Sequence, residues 1–449
     1  MIPMTLREIV AACGGRYVGE ETLLDATIPD IGIDSRTIKS GALYVPVFGE
    51  RFDGHDFIDA ARESGVACVL TDHPLTSPPY VLVPCTLDAL QSIAAHYRNK
   101  FSIPVIGITG SVGKTTTKEM VAAVLSRQFS VLKTEGSLNS QTGTPQILFR
   151  LSPEHDVAVL EMGANHFGEI ERLARMVTPT VCLLTNIGVA HIEFFGSQQG
   201  IFRAKTEMLP YLREGGRIIV NGDDDMLAAL PNAMRYGVSD DCDLRAVDIE
   251  DLGLDGMAFT AVYGEKSIPV RVPAPGRHMV SNALAAMAVG LSLGLSLPEL
   301  ASGVAAYRPL AGRMSITRTG RFTLLDDSYN ASPLSVTAAI GVLENTEGRR
   351  VCILGDMLEL GERTDEYHEA AGLHAAQHGI ELIIGVGASA KRLFLSAQAV
   401  APERSLYFET QDALLSALPA LLQPGDTVLV KASRGMHMEK TVKALLAME

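Results

Sequence analysis

A lysine and a threonine stand where a glycine-containing turn runs into a helix, a pairing typical of sites that bind phosphate. Residues 104–108 predict a buried strand before the turn, and apolar residues at helical spacing predict a helix after it. The backbone N–H groups of such a turn hold phosphate oxygens, the lysine reaches the β- and γ-phosphates, and the threonine hydroxyl binds Mg²⁺. The predicted nucleotide-binding residues are Gly110, Ser111, Val112, Gly113, Lys114, Thr115 and Thr116.

The turn departs from the common phosphate-binding pattern at one position. The first glycine of that pattern would fall at Ile108, and the nearest glycine is Gly107. An ordinary glycine turn before a helix is the alternative. The order strand, glycine turn, Lys-Thr and helix favours a variant of the phosphate-binding loop.

Three further residues have side chains that suit metal or phosphate chemistry. Glu161 ends a predicted buried strand, and His191 follows the next one. In parallel sheets ligands bind beyond the carboxyl ends of strands, so a Mg²⁺ ligand is expected at Glu161, with a structural salt bridge as the alternative. A single histidine is more often structural. Lys205 lies on a predicted helix, and without further information a lysine there is expected on the solvent-exposed face of that helix.

Two polar segments are candidates for binding an anionic substrate. Asp34-Ser35-Arg36 follows a strand and either caps an element and pairs its own charges or holds an anionic group. Residues 135–145 form a long polar loop that contains Asn139, and such loops often bind ligands.

Strands alternate with helices along most of the 449 residues, which predicts an α/β fold with mostly parallel sheets. A small α/β domain is expected at residues 1–84, a central phosphate-loop ATPase-type domain at 85–309 and a Rossmann-like domain at 310–449. In the last domain, residues 385–390 and Glu409 match a dinucleotide fingerprint. Glycine is common in any tight strand-to-helix turn, so this match is a weak sign of NAD binding.

The composition narrows the class of protein. The formal net charge is −14, which argues against a nucleic-acid partner, because a protein that binds the phosphate backbone of nucleic acids needs a basic surface. The six cysteines are scattered and predict free thiols in a reducing cytosol. Neither a signal-peptide pattern nor an apolar run of about 20 residues occurs. A cytoplasmic protein without a membrane span is expected.

Taken together, these motifs resemble the Mur ligase family, which makes cell-wall peptide bonds using ATP. The resemblance extends over nearly the whole chain and includes the variant phosphate loop and Glu161. The further motifs are Thr185 to His191, Ala204 to Glu207, Asn221 to Asp224, Gly276 to Ala283 and Gly312-Arg313.

Motifs in the first and last domains are similar to one member of the family, which joins D-alanyl-D-alanine to UDP-MurNAc-tripeptide. Ser332 stands where asparagine is common in that member. The resemblance implies an acyl-phosphate intermediate, small-molecule partners and a monomer, and it leaves lysine and diaminopimelate open as the third peptide residue. The motifs are Asp34 to Arg36, Asp53 to His55, Asp326 to Pro333, Leu354 to Gly361 with His368, and Val430 to Glu439.

The resemblance also implies a role for each site residue. Lys114 and Arg313 would supply positive charge, Thr115 and Glu161 would hold one Mg²⁺, and His191 with a carbamylated Lys205 would hold another. ATP would also contact Arg313, Asn282, Asp327, Tyr329 and Asn330, the uridine would contact Ser35 and Arg36, and the sugar-peptide would contact Asn139.

Two other functions use similar motifs. A folylpolyglutamate synthase would share the central and last domains but would lack the first domain and the motif at residues 356–361. A phosphate-loop switch protein would bind nucleotide without ligating anything. Phosphate release that depends on one particular amino-acid substrate distinguishes these classes.

Overall fold

The computed structural model describes residues 1–49 and 52–448. These residues divide into two compact units. The first contains Met1–Ile108, Phe129–Cys182 and Thr206–Gly216, and the second contains Thr109–Gln128, Leu183–Lys205 and Arg217–Glu449. Because the units interleave along the chain, the expected domain bounds at 84/85 and 309/310 remain predictions.

The helices and strands alternate over most of the chain, as predicted. The helices are α1 Leu6–Cys13, α2 Ile58–Glu63, α3 Thr86–Arg98, α4 Lys114–Leu125, α5 Gly143–Leu148, α6 Glu169–Val177, α7 Ile192–Phe195, α8 Gln198–Thr206, α9 Asp225–Ala228, α10 His278–Ser292, α11 Leu297–Ala305, α12 Pro333–Glu344, α13 Thr364–Gln377, α14 Ala390–Val400, α15 Gln411–Leu421 and α16 Glu439–Leu446. The strands are β1 Met4–Thr5, β2 Arg16–Val18, β3 Thr27–Ile28, β4 Ile31–Gly32, β5 Leu43–Tyr44, β6 Cys68–Thr71, β7 Tyr80–Leu82, β8 Val105–Thr109, β9 Val131–Lys133, β10 Val157–Glu161, β11 Val181–Leu184, β12 Arg217–Asn221, β13 Ala233–Gly237, β14 Leu244–Asp251, β15 Met257–Tyr263, β16 Lys266–Val272, β17 Ser315–Arg318, β18 Thr323–Asp326, β19 Arg350–Gly355, β20 Leu382–Val386, β21 Ser405–Phe408 and β22 Thr427–Lys431.

The N-terminal part of the first unit is a small sheet with the strand order β2-β7-β6-β5-β4. Strand β2 is antiparallel to β7, and the other pairs are parallel. Helix α2 packs on this sheet through Ile58. Hydrophobic pattern predicts a strand over residues 41–47, but only Leu43–Tyr44 is a strand, so the prediction is too long. Pro46 lacks an N–H group, so it cannot continue the ladder.

The same unit contains β10, which runs parallel to both β8 and β9. Every residue of β8 and β10 is buried, as expected for central parallel strands covered on both faces. In the register, Glu161 lies opposite Ile108, at the carboxyl end of both strands. The sheet therefore presents the Glu161 carboxylate at the edge where parallel sheets bind ligands.

In the second unit, β12, β13 and β14 are parallel, and β15 and β16 extend them as an antiparallel meander. Helices α10 and α11 pack against α4. A Cβ atom on Gly303 would lie 2.5 Å from Cα of Val124, so glycine permits α11 to approach α4 closely. This packing supports the helix that begins at Lys114.

The second unit also contains a sheet with the order β17-β18-β22-β19-β20-β21. Strand β17 is antiparallel to β18, and the other pairs are parallel. Alternate residues of β19 enter separate cores, with Cys352 on one face and Val351 on the other. The sequence predicts strands at residues 322–325, 350–354, 382–384, 406–408 and 427–430, and β18, β19, β20, β21 and β22 confirm them. Strand β17 was missed because its polar residues lie partly exposed at the sheet edge.

Among the described residues, none of the helices is both long enough and apolar enough to cross a bilayer.

Candidate active site

The predicted order of strand, glycine turn and helix is confirmed at the phosphate loop. Strand β8 ends at Thr109, and α4 begins at Lys114. Gly110 and Gly113 have φ angles of +147° and +80°, which residues with a side chain rarely adopt. A Cβ atom on Gly110 would also lie 2.0 Å from Oγ1 of Thr185. Both glycines are therefore needed for this turn.

The segment at residues 185–188 holds the turn in shape. Asn186 accepts a hydrogen bond from Val112 N through Oδ1 (3.0 Å) and donates one from Nδ2 to Val112 O (3.0 Å). Thr185 Oγ1 donates to the same carbonyl (2.8 Å), and Ser111 Oγ accepts from Gly188 N (2.9 Å). The sequence motif was recognised, but this clamping role of Asn186 was missed because it depends on contacts over 74 residues of chain.

Lys114 lies across the turn that precedes it. Its Nζ atom donates to the carbonyl oxygens of Gly110 (2.7 Å) and Ser111 (3.2 Å). The neighbouring Thr116 hydrogen-bonds to Tyr307, whose pKa burial raises to about 12. The Lys114 side chain is held at the turn, where a lysine of this motif meets phosphate.

Arg313 and Thr115 lie together, as the predicted ATP site requires. Nη2 of Arg313 donates to Oγ1 of Thr115 (3.2 Å). The Arg313 guanidinium also stacks on the Tyr329 ring, 3.9 Å from its centroid, and Arg434 lies 5.5 Å from the same ring. The second unit therefore brings two cations and an aromatic ring to the start of α4.

Asp327 and Asn330 are fixed by Lys431, a residue that sequence reasoning did not assign to the site. Lys431 is 2% exposed, and its Nζ donates to Oδ2 of Asp327 (2.5 Å) and to the Asn330 carbonyl (2.9 Å). Met314 N donates to Oδ1 of Asp327 (3.1 Å). A lysine at the end of a fully buried strand was the available signal, because a buried ammonium needs an anionic partner.

Asn282 lies against the phosphate loop. Its Oδ1 accepts from Oγ1 of Thr117 (3.1 Å) and would lie 3.1 Å from a Cβ atom on Gly113. The structure therefore brings Asn282 to the turn itself. Its predicted contact with adenosine stays a prediction.

His191 meets the glutamate of the Asp-Met-Leu-Glu-Leu-Gly motif. Its Nδ1 atom contacts the Glu359 carboxylate, and Glu193 N donates to Glu359 O (3.5 Å). His191 and Glu359 have φ angles of +62° and +63°, so both turns hold strained non-glycine residues. The loop at residues 356–361 therefore orients the histidine predicted to bind metal.

The solvated face predicted for Lys205 from its helix alone is wrong. Lys205 is 1% exposed, on the same face of α8 as the buried Ile201 and Ala204. Its Nζ lies 5.4 Å from the centroid of the Phe195 ring. Positions three and four apart share a helix face, so the apolar face of α8 carries Lys205 into the interior.

In the first unit, two predicted site residues contact each other. Glu161 is 3% exposed, and its Oε1 accepts from Nδ2 of Asn139 (2.8 Å). Glu161 N donates to Oγ1 of Thr134 (3.0 Å), and Gly163 N donates to Asn139 O (3.0 Å). The polar loop thus reaches the strand-end carboxylate. The roles of Glu161 with metal and of Asn139 with substrate remain predictions.

Arg36 pairs with a carboxylate of its own turn. Its Nε and Nη2 donate to Asp34 Oδ1 (2.9 Å) and Oδ2 (2.7 Å), and this pairing lowers the pKa of Asp34. The Arg36 side chain is 85% exposed, and Ser35 lies between the two residues. The charge-pairing alternative is therefore observed, and anion binding at Ser35 and Arg36 stays a prediction.

At the dinucleotide fingerprint of residues 385–390, a carboxylate of the chain itself lies where the phosphates of a bound dinucleotide would lie. Oδ1 of Asp356 accepts from Ala390 N at the start of α14 (2.7 Å). A Cβ atom on Gly387 would lie 2.6 Å from the same oxygen. The glycine and the helix N-terminus thus accommodate Asp356, which takes the place that a pyrophosphate would need.

His368 supports the loop that carries Glu359. Its Nε2 accepts from Met357 N (2.9 Å), and its Nδ1 hydrogen-bonds to Thr364 O (2.7 Å), which requires the neutral ring. Burial lowers the pKa of His368, which favours the same form.

Three family models match successive parts of the chain. They are the Mur ligase family catalytic domain over residues 27–100, the Mur ligase middle domain over 108–290 and the Mur ligase glutamate ligase domain over 312–434. The matches cover the phosphate loop, Arg313 and Lys431.

Several relatives match this chain over nearly its whole length. The UDP-N-acetylmuramoyl-tripeptide–D-alanyl-D-alanine ligase of Escherichia coli is 37% identical over 99% of both chains. MurF from Acinetobacter baumannii has a crystal structure with a TM-score of 0.92 and 33% identity over 99% of both chains. MurF from Thermotoga maritima, in complex with ADP, has a TM-score of 0.84 and 28% identity over 93% of this chain and 97% of its own. The chain therefore belongs to the Mur ligase family, with MurF ligases as relatives that match it over nearly its whole length.

Proposed function

We propose that the chain is an ATP-dependent ligase that joins D-alanyl-D-alanine to UDP-MurNAc-tripeptide and so makes UDP-MurNAc-pentapeptide for peptidoglycan. The observation that carries the proposal is the phosphate loop with Lys114 across it and Arg313 on Thr115. The UDP-N-acetylmuramoyl-tripeptide–D-alanyl-D-alanine ligase of Escherichia coli supports the proposal, because it matches 99% of this chain at 37% identity. The ADP complex of the Thermotoga maritima relative supports ATP as the nucleotide.

The reaction needs activation of a carboxylate, which by itself would have to lose oxide as its leaving group. An oxygen of the tripeptide carboxylate attacks the γ-phosphorus of ATP, and ADP leaves, so an acyl phosphate forms. The amine of D-alanyl-D-alanine then attacks the acyl carbon, loses a proton, and phosphate departs with the carboxylate oxygen. Such a sequence depends on positioning and charge neutralisation rather than on a nucleophilic side chain.

The second unit supplies the charge and the nucleotide contacts. Lys114 and Arg313 neutralise phosphate charge. The adenosine lies against Asn282, Asp327, Tyr329 and Asn330. Lys431 holds Asp327 through its buried ammonium group and so orients the surface that faces the nucleotide.

The family resemblance assigns four residues to two Mg²⁺ ions, and each residue can be judged by the donor atom that it offers. Thr115 and Glu161 offer oxygen atoms, which Mg²⁺ prefers, and both are buried. His191 offers nitrogen, so a second Mg²⁺ would need a further oxygen ligand, which a carbamate on Lys205 would provide. Bound Mg²⁺ supplies positive charge to the transferring phosphoryl group.

The first domain, taken as residues 1–84, holds the uridine through Ser35 and Arg36, and Asn139 contacts the sugar-peptide. The exposed guanidinium of Arg36 and the link from Asn139 to Glu161 support these roles. The central domain at 85–309 binds ATP, and the last at 310–449 completes the ligase. We also propose a monomer in the cytoplasm; the free thiols of the described cysteines suit a reducing compartment and leave the oligomeric state as a proposal.

Phosphate release from ATP tests the proposal. With UDP-MurNAc-tripeptide present, D-alanyl-D-alanine should stimulate release, and glutamate should not. Lys114→Ala should abolish the stimulation, while Lys443→Ala, which removes an exposed lysine of α16, should keep it. Stimulation by glutamate alone would indicate a folylpolyglutamate synthase. Release that responds to neither amine would contradict a ligase. Comparing lysine- and diaminopimelate-containing tripeptides identifies the third residue.

A further inference from the structure

Two histidines and an aspartate meet in the first unit, away from the phosphate loop in the sequence. His55, Asp72 and His73 each offer one ligand atom, and these atoms all lie within 4.8 Å of one another. The His55 and His73 ring centroids are 5.0 Å apart. Imidazole nitrogen and carboxylate oxygen are the donors that Zn²⁺ and similar ions bind.

His55 is the buried member of this cluster, and its two nitrogens have different surroundings. Nδ1 lies 2.7 Å from Oδ1 of Asp53, so a neutral ring donates its proton there. The side chain is 5% exposed, and Nε2 has no hydrogen-bond partner among residues 1–49 and 52–448. Nε2 lies 3.4 Å from Oδ1 of Asp72. In this tautomer a nitrogen lone pair faces a carboxylate oxygen in a buried place, and a cation between them would satisfy both.

The surrounding backbone holds the cluster in position. Asp53 caps the turn Gly54–Phe57 by accepting from His55 N (2.9 Å). A Cβ atom on Gly54 would lie 2.6 Å from Val47 N, so glycine is needed for this turn to lie so close to the neighbouring chain. On the other side, Oγ1 of the buried Thr71, the last residue of β6, donates to His73 O (2.8 Å). The end of β6 thus fixes the turn that carries Asp72 and His73.

We propose that His55, Asp72 and His73 bind a divalent transition-metal ion of the Zn²⁺ class. Ligand atoms about 2.0–2.1 Å from a tetrahedral metal are about 3.4 Å apart, the separation observed between His55 Nε2 and Asp72 Oδ1. The Asp53 carboxylate on Nδ1 is the second partner that metal-bound histidines usually have. His73 Nδ1 lies 2.7 Å from Asp72 Oδ1, and this half-exposed ring moves slightly outward to bind.

The chemistry of the cluster separates it from the Mg²⁺ ligands of the ligase reaction. Two imidazoles with one carboxylate suit a borderline ion, whereas Mg²⁺ keeps oxygen ligands and water. Three protein ligands leave one tetrahedral position for water. The competing explanation is a protonated His55 that bridges Asp53 and Asp72, which predicts that the cluster binds no metal.

Co²⁺ titration of the full-length, chelator-treated protein tests the site, with saturating Mg²⁺ present to occupy oxygen-ligand sites. We expect one equivalent of Co²⁺ to give the visible absorption of a tetrahedral complex and Zn²⁺ to displace it. His73→Ala, at a half-exposed position, should weaken Co²⁺ binding at least about 10-fold, by analogy with partners that are not even direct ligands. His55→Gln, checked for folding by circular dichroism, should do the same.

His96→Ala is the matched control, because His96 also contacts a carboxylate in the first unit, Glu8 at 2.7 Å, but lies outside the cluster. Its Co²⁺ affinity should equal that of the unmodified chain. Failure of the unmodified chain to bind Co²⁺, unchanged affinity in His73→Ala, or an equal loss in His96→Ala would each overturn the proposal.

Discussion

The burial of Lys205 needs a chemical explanation, because a buried charge is costly unless it has a partner. An ammonium about 4 Å from a divalent cation is repelled by about 8 kcal/mol, twice the unit-charge value at an effective dielectric of 20. At 1% exposure, water cannot screen that charge well. Under the proposal, a lysine beside Mg²⁺ would lose its proton, and the neutral amine would add CO₂ to give a carbamate, an anionic oxygen ligand. The alternative is an unmodified ammonium that contacts phosphate directly.

The two states of Lys205 predict opposite results for Lys205→Arg. If Lys205 carries a carbamate, the second Mg²⁺ site needs negative charge at this position, so the arginine variant should be inactive. Lys205→Ala should regain some turnover when short carboxylic acids are added. Steady-state ligase assays with and without acetate measure both effects. Lys114→Ala is the control, because the same acids cannot replace a positive charge.

Near-normal turnover of Lys205→Arg would contradict the carbamate. So would a bare Lys205 amine beside bound Mg²⁺ in crystals grown with ample bicarbonate, compared with crystals grown with none.

At the scale of elements, the turn before α4 depends on a clamp from the segment that follows β11. The Asn186 side-chain amide uses both its carbonyl oxygen, as acceptor, and its NH₂ group, as donor, on one residue, Val112. Removing such a partner leaves backbone groups unsatisfied, at a cost of about 1–3 kcal/mol. The turn would then populate shapes that do not fit phosphate.

Asn186→Ala should therefore raise the KM for ATP by about 5- to 150-fold, the range that corresponds to this cost. The KM for UDP-MurNAc-tripeptide should change much less. Asn345→Ala is the matched control, because Asn345 also donates two hydrogen bonds in the second unit, to Asp251 and Gly341, at an exposed position. Equal ATP KM values in the two variants would refute the clamp.

The loop that carries Glu359 depends on the neutral form of His368. Because burial lowers its pKa, the folded chain holds fewer protons at this ring than the unfolded chain does. Stability from this group is complete above the unfolded pKa, about 6.5, and is lost as the pH falls towards the folded value.

The unfolding free energy should consequently fall on acidification below about pH 6.5, with a contribution from His368 of up to about 1.4 kcal/mol per pH unit. His368→Gln should lower stability at neutral pH and flatten the pH dependence between about pH 5 and 7. Urea denaturation across that range measures both slopes. Parallel slopes for the two chains would exclude His368 as the titrating group.

The local sequence pattern predicts most of the helices and strands. The features that it does not predict depend on contacts between residues that are distant in the sequence. The phosphate loop, the strand-end glutamate and the strands of the last sheet follow from hydrophobic periodicity and turn chemistry. Asn186, Lys431 and the burial of Lys205 do not, because each depends on where a remote segment packs. Asp356 likewise explains a glycine turn that the sequence alone matches to dinucleotide binding.

At the scale of the whole molecule, a net charge of −14 coexists with concentrated positive charge where phosphate is expected. Lys114 begins α4, Arg313 donates to the adjacent Thr115, and Arg434 lies near the same Tyr329 ring as Arg313. An acidic chain with such a local cluster is suited to small anionic substrates rather than to nucleic acids.

The central claim is that ATP activates the tripeptide carboxylate as an acyl phosphate, and oxygen transfer tests it most directly. UDP-MurNAc-tripeptide labelled with ¹⁸O in its terminal carboxylate is turned over with ATP and D-alanyl-D-alanine, and the inorganic phosphate is analysed by mass spectrometry. One ¹⁸O atom should appear in each phosphate released, in step with UDP-MurNAc-pentapeptide. Unlabelled phosphate accompanied by peptide product would contradict the acyl-phosphate route, and phosphate without product would contradict the ligase itself.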